Sequence, residues 1–279
     1  MELISTIADL KAALNGHRQE GRSIGFVPTM GALHQGHLSL VHQAGEKTDV
    51  VVVSIFVNPT QFNDPKDLER YPRTLENDME LLEATPCQYV FAPSVQEVYP
   101  EPDNRQFDFG DLERVMEGEH RPGHFNGVAQ VVSKLFDMVE PDKAIFGEKD
   151  FQQMAIIYAM VVQLGLDVEI VPGTTVREAD GLAMSSRNAL LTEEHRKSAP
   201  RIYQTLSEAK KLTLSMSIEE VKGWVVAMIN EDPYLCVEYF DIVDSKTLQS
   251  VDCWEDKETK VGCIAVFAGE VRLIDNITF

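Results

Sequence analysis

Two histidines three positions apart, His34 and His37, are the side chains of this sequence best suited to proton or hydrogen-bond chemistry near neutral pH. They lie in the run Pro28-Thr29-Met30-Gly31-Ala32-Leu33-His34-Gln35-Gly36-His37. Ile24 to Val27, just before it, reads as a buried strand, and Leu38 to Ala44, just after it, as a helix. A strand-to-helix turn aims backbone N–H groups and the positive end of a helix dipole outward, which suits an anion. Gly31 and Gly36 allow a ligand close to the backbone. The turn therefore reads as a phosphate site with histidine donors. Two other readings stand beside it. The glycines serve only the turn while a histidine caps the helix, or the histidine pair holds zinc. No nearby Cys or carboxylate completes a zinc ligand set, so no metal is assigned to the side chains.

Four further stretches carry candidate chemistry. The β-branched run Asp49 to Val57 ends at Asn58-Pro59-Thr60-Gln61-Phe62. Polar groups at the carboxyl end of a parallel strand lie where open α/β sheets bind ligands. The alternative is a proline turn whose Asn58 bonds its own backbone. Glu119 to Phe125 gathers Arg121, His120 and His124 around Pro122-Gly123, which argue against a helix. It reads as a loop presenting Arg121 to an anion or as a solvated loop. Lys143 to Gly147 is strand-like, and Glu148-Lys149-Asp150 opens a helix with Gln153 one turn in. Lys149 offers a point charge to phosphate, whereas Asp150 also has a plain helix-capping explanation. Val176 to Asn188 contains Ser185, Ser186 and Arg187, whose hydroxyls and guanidinium are phosphate donors, with Gly181 as a hinge before them.

The elements that must position these residues follow from hydrophobic periodicity. Helical spacing covers Ser5–Leu14, where Thr6 and Asp9 suggest a cap, as well as Thr74–Ala84 and Gly127–Val139. Asp78 reads as part of a solvated helix face, with support of a metal ion through water as the alternative. Strands are expected near 23–28, 49–57, 88–93, 143–147 and 167–171, with a polar loop over 63–73 and an irregular stretch over 94–124. Strand–helix–strand alternation calls for a parallel sheet. After about Val176 the pattern changes to helices at Thr192–Leu212 and Ser217–Ile229, a strand at 236–243 and a hairpin around Gly269. The expectation is an α/β protein: a Rossmann-like parallel sheet in residues 1–175 and a smaller α+β domain in 176–279 that closes over the site.

The 279 residues are 44% hydrophobic, enough for one large or two modest domains. No apolar run reaches membrane-spanning length, and the N-terminal residues lack a signal-peptide pattern. Cys87, Cys236, Cys253 and Cys263 are scattered, as in a cytoplasmic protein with reduced thiols. A net charge of −20 argues against nucleic acid as a partner, while a locally basic pocket still admits a small anion.

Taken in order, PTMGALHQGHLSLV, SIFVNPTQF, RPGHFNGV, FGEKDFQQ and DGLAMSSRN resemble the motifs of the pantoate–β-alanine ligases. His34-Gln35-Gly36-His37 is similar to the HxGH signature of adenylate-forming nucleotidyl transferases. The resemblance covers residues 24 to 190 almost continuously, and the C-terminal part also fits. It implies condensation of pantoate with β-alanine at the expense of ATP, through a pantoyl adenylate, with Mg2+ and in a homodimer. Residue by residue, it implies that Met30, Gly31, Ala32, Leu33, His34, Gln35, Gly36 and His37 contact ATP, with Gly147, Glu148, Lys149, Asp150, Val176, Met184, Ser185, Ser186 and Arg187. His37, His34 and Lys149 would be catalytic. Gln61 and Gln153 would bind pantoate, with Asn58, Arg121 and His124 as further substrate contacts. Gln35 stands where Glu is common, Asn63 where Gly is usual, and Phe151 where Tyr is common. Another HxGH nucleotidyl transferase, a non-catalytic ATP-binding protein and an aminoacyl-tRNA synthetase are the competing readings. The acidity and the lack of an RNA-binding module weigh against the last.

Overall fold

The computed structural model describes residues 1–62, 65–255 and 259–279. Asn63 lies outside the described residues. The chain divides into two compact units. One is Met1–Phe109, Arg121–Glu148 and Gln153–Thr174; the other is Gly110–His120, Lys149–Gln152 and Thr175–Phe279. Two segments upstream of residue 175 thus group with the C-terminal part.

In chain order the elements up to the sheet's last strand are β1 (Glu2–Ile4), α1 (Ile7–Gln19), β2 (Ile24–Thr29), α2 (Gln35–Lys47), β3 (Val50–Ile55), α3 (Pro65–Arg70), α4 (Leu75–Leu82), β4 (Cys87–Phe91), α5 (Val95–Val98), α6 (Glu117–His120), α7 (His124–Val139), β5 (Lys143–Gly147), α8 (Phe151–Leu164) and β6 (Glu169–Gly173). The six strands form one parallel sheet in the order β1-β4-β3-β2-β5-β6. The apolar runs of β2 and β3 pair in register, Phe26 opposite Val52 and Val27 opposite Val53. All four of these side chains are fully buried, as expected of strands covered on both faces. One face packs Val27, Val53 and Val90 with Val41 and Ala44 of α2 and Leu82 of α4. On Phe26 lies Phe136 of α7, edge to face at 6.3 Å. The strand order reverses between β2 and β5, so the carboxyl ends of those two neighbours flank the crevice where such sheets bind ligands.

Several sequence expectations change. β1 is three residues long, too short for any periodicity, yet it pairs with β4. The first helix runs on to Gln19, with Thr6 Oγ1 capping the Asp9 N–H as expected. The expected loop at 63–73 carries α3, and the irregular stretch carries α5 and α6. α7 starts at His124 rather than 127, because Gly123 takes a left-handed φ of 79° and starts the helix where Pro122 cannot extend one.

At the outer edge, the carbonyls of Ile170 and Pro172 in β6 point away from β5 by the alternation of the ladder. The Tyr158 hydroxyl donates to the first (2.8 Å) and the Gln43 amide to the second (3.0 Å).

The other unit holds α9 (Glu193–Ser198), α10 (Arg201–Leu212), α11 (Ile218–Asn230) and the antiparallel strands β7 (Cys236–Asp244), β8 (Lys260–Ala268) and β9 (Val271–Thr278). The single helix expected over 192–212 is two helices, split at Pro200, which lacks the N–H needed to continue. Ile202, Leu206, Val221 and Val225 of the helices pack on Ile242, Ile264 and Val266 of the sheet. α11 starts with a reciprocal cap between Ser217 and Glu220. Gly110–His120 is fastened to this unit by charge. Arg272 of β9 donates to both oxygens of the buried Glu117 (2.8 and 2.7 Å) and to Glu238 (2.8 Å), and the Tyr239 hydroxyl donates to Glu117 (2.8 Å). Gln152 holds the same segment, accepting from the Glu117 N–H and donating to the carbonyls of Leu112 and Val115. Burial works against the Arg272 cation, and the two carboxylates more than offset it, so its pKa lies above the ordinary arginine value.

Candidate active site

The turn after β2 is held by hydrogen bonds within itself and to Asp78 of α4. The Gly31 N–H donates to Thr29 Oγ1 at 3.2 Å. Gly31 and Ala32 take left-handed φ values of 81° and 50°, which turns the next two N–H groups the same way. Those of Ala32 (3.0 Å) and Leu33 (2.8 Å) donate to the two oxygens of Asp78 on α4. His34 is the N-cap of α2: the Gly36 N–H donates to its Nδ1 at 3.2 Å, and the His34 N–H donates to His37 Nδ1 at 3.3 Å. The rings lie 4.0 Å apart, tilted by 36°. With both Nδ1 atoms accepting, each neutral ring carries its proton on Nε2.

This changes the anion reading. The N–H groups of Gly31, Ala32, Leu33, His34, Gly36 and His37 all have protein acceptors. The imidazoles of His34 and His37 are then donors that this turn offers a phosphate. Asp78, expected on a solvated face, is fully buried, and Thr74 Oγ1 also donates to it at 3.2 Å. Its place in the acidic run Glu76-Asn77-Asp78 hid it among surface charges. A cavity of about 340 Å³ adjoins the turn, lined among others by Met30, Gly31, Phe56, Arg73, Thr74 and Asp78.

Beyond β3, Asn58 and Gln61 form a second cluster in the same unit. Asn58 is 1% exposed. Its Oδ1 accepts from the Tyr99 hydroxyl (2.9 Å) and from Thr60 Oγ1 (3.1 Å), which fixes the amide's orientation. Its Nδ2 then donates to Gln61 Oε1 (3.0 Å) and to the Gly127 carbonyl (3.2 Å). Gln61 directs its own amide nitrogen at Met30 Sδ, 3.3 Å away. The Gln61 amide is therefore polarised, its oxygen engaged by Asn58 and its nitrogen on the side of Met30. His124, the buried first residue of α7, lies with Nδ1 2.9 Å from the Gln61 carbonyl; a carbonyl only accepts, so the proton is on Nδ1. Gly127 makes this packing possible: a Cβ there would lie 2.4 Å from the Thr60 carbonyl oxygen. Gln153 is half-buried in the first turns of α8, and Gly147 ends β5 with Glu148 directly after it, both also half-buried. Arg121 contributes its carbonyl to the His124 N–H at 3.0 Å.

The remaining candidates belong to the C-terminal unit. Lys149 has an 18% exposed side chain, with Nζ 3.9 Å from Asp150 Oδ1, and its carbonyl accepts from Asn276 of β9 at 3.0 Å. Val176 and Met184 face one another, the Met184 N–H donating to the Val176 carbonyl at 3.0 Å. Ser185 caps the turn that begins at Ser186, accepting from the Arg187 N–H at 3.3 Å. The intervening glycine, expected as a hinge, is packed in this structure. Gly181 packs beneath Tyr203, and its carbonyl accepts from Arg177. Arg177 itself forks onto the buried Asp275 (2.6 and 2.9 Å) and stacks on the Tyr203 ring at 3.6 Å. Arg196 ties down Asp180 and Glu178, both at 2.6 Å. Ser185 to Arg187 are thus carried on a braced base.

Comparison with known proteins agrees with the motifs. The pantoate-beta-alanine ligase family model matches residues 2–278. Pantothenate synthetase of Porphyromonas gingivalis (strain W83) is 58% identical over 279 residues, covering 100% of this chain and 99% of that one. That of Fervidobacterium nodosum is 48% identical over 99% of each. The crystal structure of pantothenate synthetase from Thermus thermophilus superposes with a TM-score of 0.93 at 43% identity, covering 99% of both chains. That of the pantoate-beta-alanine ligase from Francisella tularensis, complexed with beta-gamma ATP and beta-alanine, superposes with 0.83 at 34% identity, covering 99% of this chain and 97% of that one. A model match from residue 2 to 278, joined to a histidine pair at the sheet's switch point, makes this chain a member of the pantoate-beta-alanine ligase family.

Proposed function

We propose that the protein joins pantoate to β-alanine, using ATP, to give pantothenate, AMP and pyrophosphate. The observation that carries the chemistry is the reciprocal cap at the start of α2, which leaves His34 and His37 each with its ring proton on Nε2. In the first step a pantoate carboxylate oxygen attacks the α-phosphorus, the bond to the bridging oxygen breaks, and pyrophosphate leaves. The carboxylate is already ionised at neutral pH, so this step calls for charge stabilisation rather than a base. His37 donates to the phosphate oxygens on which charge accumulates, with His34 beside it. Lys149, Ser185, Ser186 and Arg187 serve the triphosphate as cationic and hydroxyl donors. In the second step the free amine of β-alanine attacks the acyl carbon and AMP leaves. Gln61 and Gln153 hold pantoate, and the polarity set by Asn58 makes Gln61 a donor toward the acid's oxygens.

Mg2+ enters with the nucleotide. Among the described residues no three His, Cys, Asp or Glu side chains cluster as a ligand set, and the Asp78 oxygens accept from backbone N–H groups. This suits an ion that keeps its waters and binds phosphate oxygens. A homodimer in the cytoplasm completes the proposal, carried by the family likeness; among the described residues no helix is long and apolar enough to cross a membrane.

Pantoate-dependent exchange of pyrophosphate into ATP, followed by AMP release on adding β-alanine, tests the reading. Exchange that ignores pantoate in a folded, ATP-binding sample would overturn it in favour of another HxGH nucleotidyl transferase. Lys149→Ala should slow adenylation far more than it weakens pantoate binding; the reverse would move Lys149 to the acid substrate.

A further inference from the structure

We infer that Asp78 is a positioning residue for the histidine pair, acting as an internal anion in the turn that presents it. Two consecutive left-handed residues, Gly31 and Ala32, shape a backbone concavity of the kind that binds phosphate. Here the concavity is filled from within, one Asp78 oxygen on the Ala32 N–H and the other on the Leu33 N–H. Leu33 is directly joined to His34, whose own N–H donates to His37 Nδ1. The carboxylate therefore fixes the chain immediately before the reciprocal cap, and the cap fixes which nitrogen of each ring holds the proton. Gly31 fits the same arrangement: a Cβ there would lie 3.0 Å from Asp78 Oδ2 and 3.0 Å from Ile55. A left-handed alanine at position 32 is held against its ordinary backbone preference by the Asp78 contact. The carboxylate's remaining partner, Thr74 Oγ1, and its place in the first turn of α4 keep the buried charge compensated. Asp78 thus contributes to adenylation without touching the reacting atoms.

The inference rests on the proposed function for its kinetic readout and on the histidines alone for its spectroscopic one. Asp78→Asn keeps the shape but replaces one acceptor by an N–H2 facing a backbone N–H. Its kcat for pantoate-dependent exchange should fall by about 10- to 100-fold, the scale of a misplaced catalytic group, with KM for pantoate within about twofold of wild type. Imidazole 15N NMR should show Nε2-protonated rings for His34 and His37 in the wild type and mixed tautomers in the variant. A folded Asp78→Asn protein with unchanged tautomers, or with kcat within about twofold of wild type, would overturn the inference. If Asp78→Asn does not fold, Thr74→Val takes its place. It loosens the carboxylate without removing it and should change both readouts in the same direction, with kcat down by about threefold; no change in either overturns the inference. If the wild type shows no pantoate-dependent exchange, the proposed function fails while the tautomer measurement still decides the role of Asp78.

Discussion

At the scale of single residues, His34 does two jobs that mutation can separate. As the N-cap of α2 it accepts a backbone hydrogen bond, and as an imidazole it presents Nε2–H. His34→Ala should lose about 1 kcal/mol of stability with the cap, a drop in melting temperature of about 2–4 °C, together with activity. His34→Asn, with an able capping side chain, should recover the melting temperature and not the exchange rate. His37→Ala should lower exchange by about 10²- to 10⁴-fold with circular dichroism unchanged, and near-normal exchange would remove it from catalysis. The pair and its setting were legible in the sequence, because two histidines and two glycines between a strand and a helix leave few alternatives. The fate of the backbone N–H groups was not legible. It depends on Asp78, 41 positions downstream of His37, whose neighbours read as solvent-facing. Tertiary hydrogen bonds of that reach have no local signal.

Among the elements, long buried strands announced themselves and short ones did not. β2 and β3 were readable from unbroken apolar runs, whereas β1 offers three residues and α6 four. Several of these short elements and loops are held by side chains instead of periodicity. The loop between α5 and α6 illustrates this. The Asp103 side chain is 4% exposed and takes hydrogen bonds from Arg105, with Lys134 of α7 nearby at 3.8 Å. The Arg105 guanidinium holds the Asp103 carboxyl below its ordinary value of 3.8. The folded protein therefore binds fewer protons there than the unfolded chain. The contribution is full above the unfolded value and is lost as the pH falls through the folded one. Melting temperature measured against pH should be level above about pH 5 and decline below about pH 4, and Asp103→Asn should flatten part of that decline. An identical acid slope in the variant would show that Asp103 carries none of it.

For the molecule as a whole, the change in composition near Val176 was visible, but the two earlier segments that group with the C-terminal unit were not. Gly110–His120 reads as an irregular stretch, and tertiary contacts such as the ion pairs of Glu117 and the hydrogen bonds of Gln152 reveal where it belongs. A fragment of residues 176–279 would keep Arg272 and Glu238 while losing Glu117, and would also lose Gln152. Removing one partner of such a buried pair costs about 3–5 kcal/mol, so the fragment should lack a cooperative thermal transition. A sharp melt at a wild-type-like temperature would show that the C-terminal residues suffice alone. Finally, the two carbonyl contacts on β6 have a bearing on how this protein behaves when crowded. An open strand margin is a template on which another chain can extend the sheet. Here Pro172 has no N–H to offer, and the two outward oxygens are engaged by Tyr158 and Gln43. Replacing Tyr158 by Phe and Gln43 by Ala leaves the catalytic candidates untouched but bares both acceptors. Light scattering at high concentration should then rise earlier than for the wild type at equal melting temperature, marking β6 as a guard against runaway assembly.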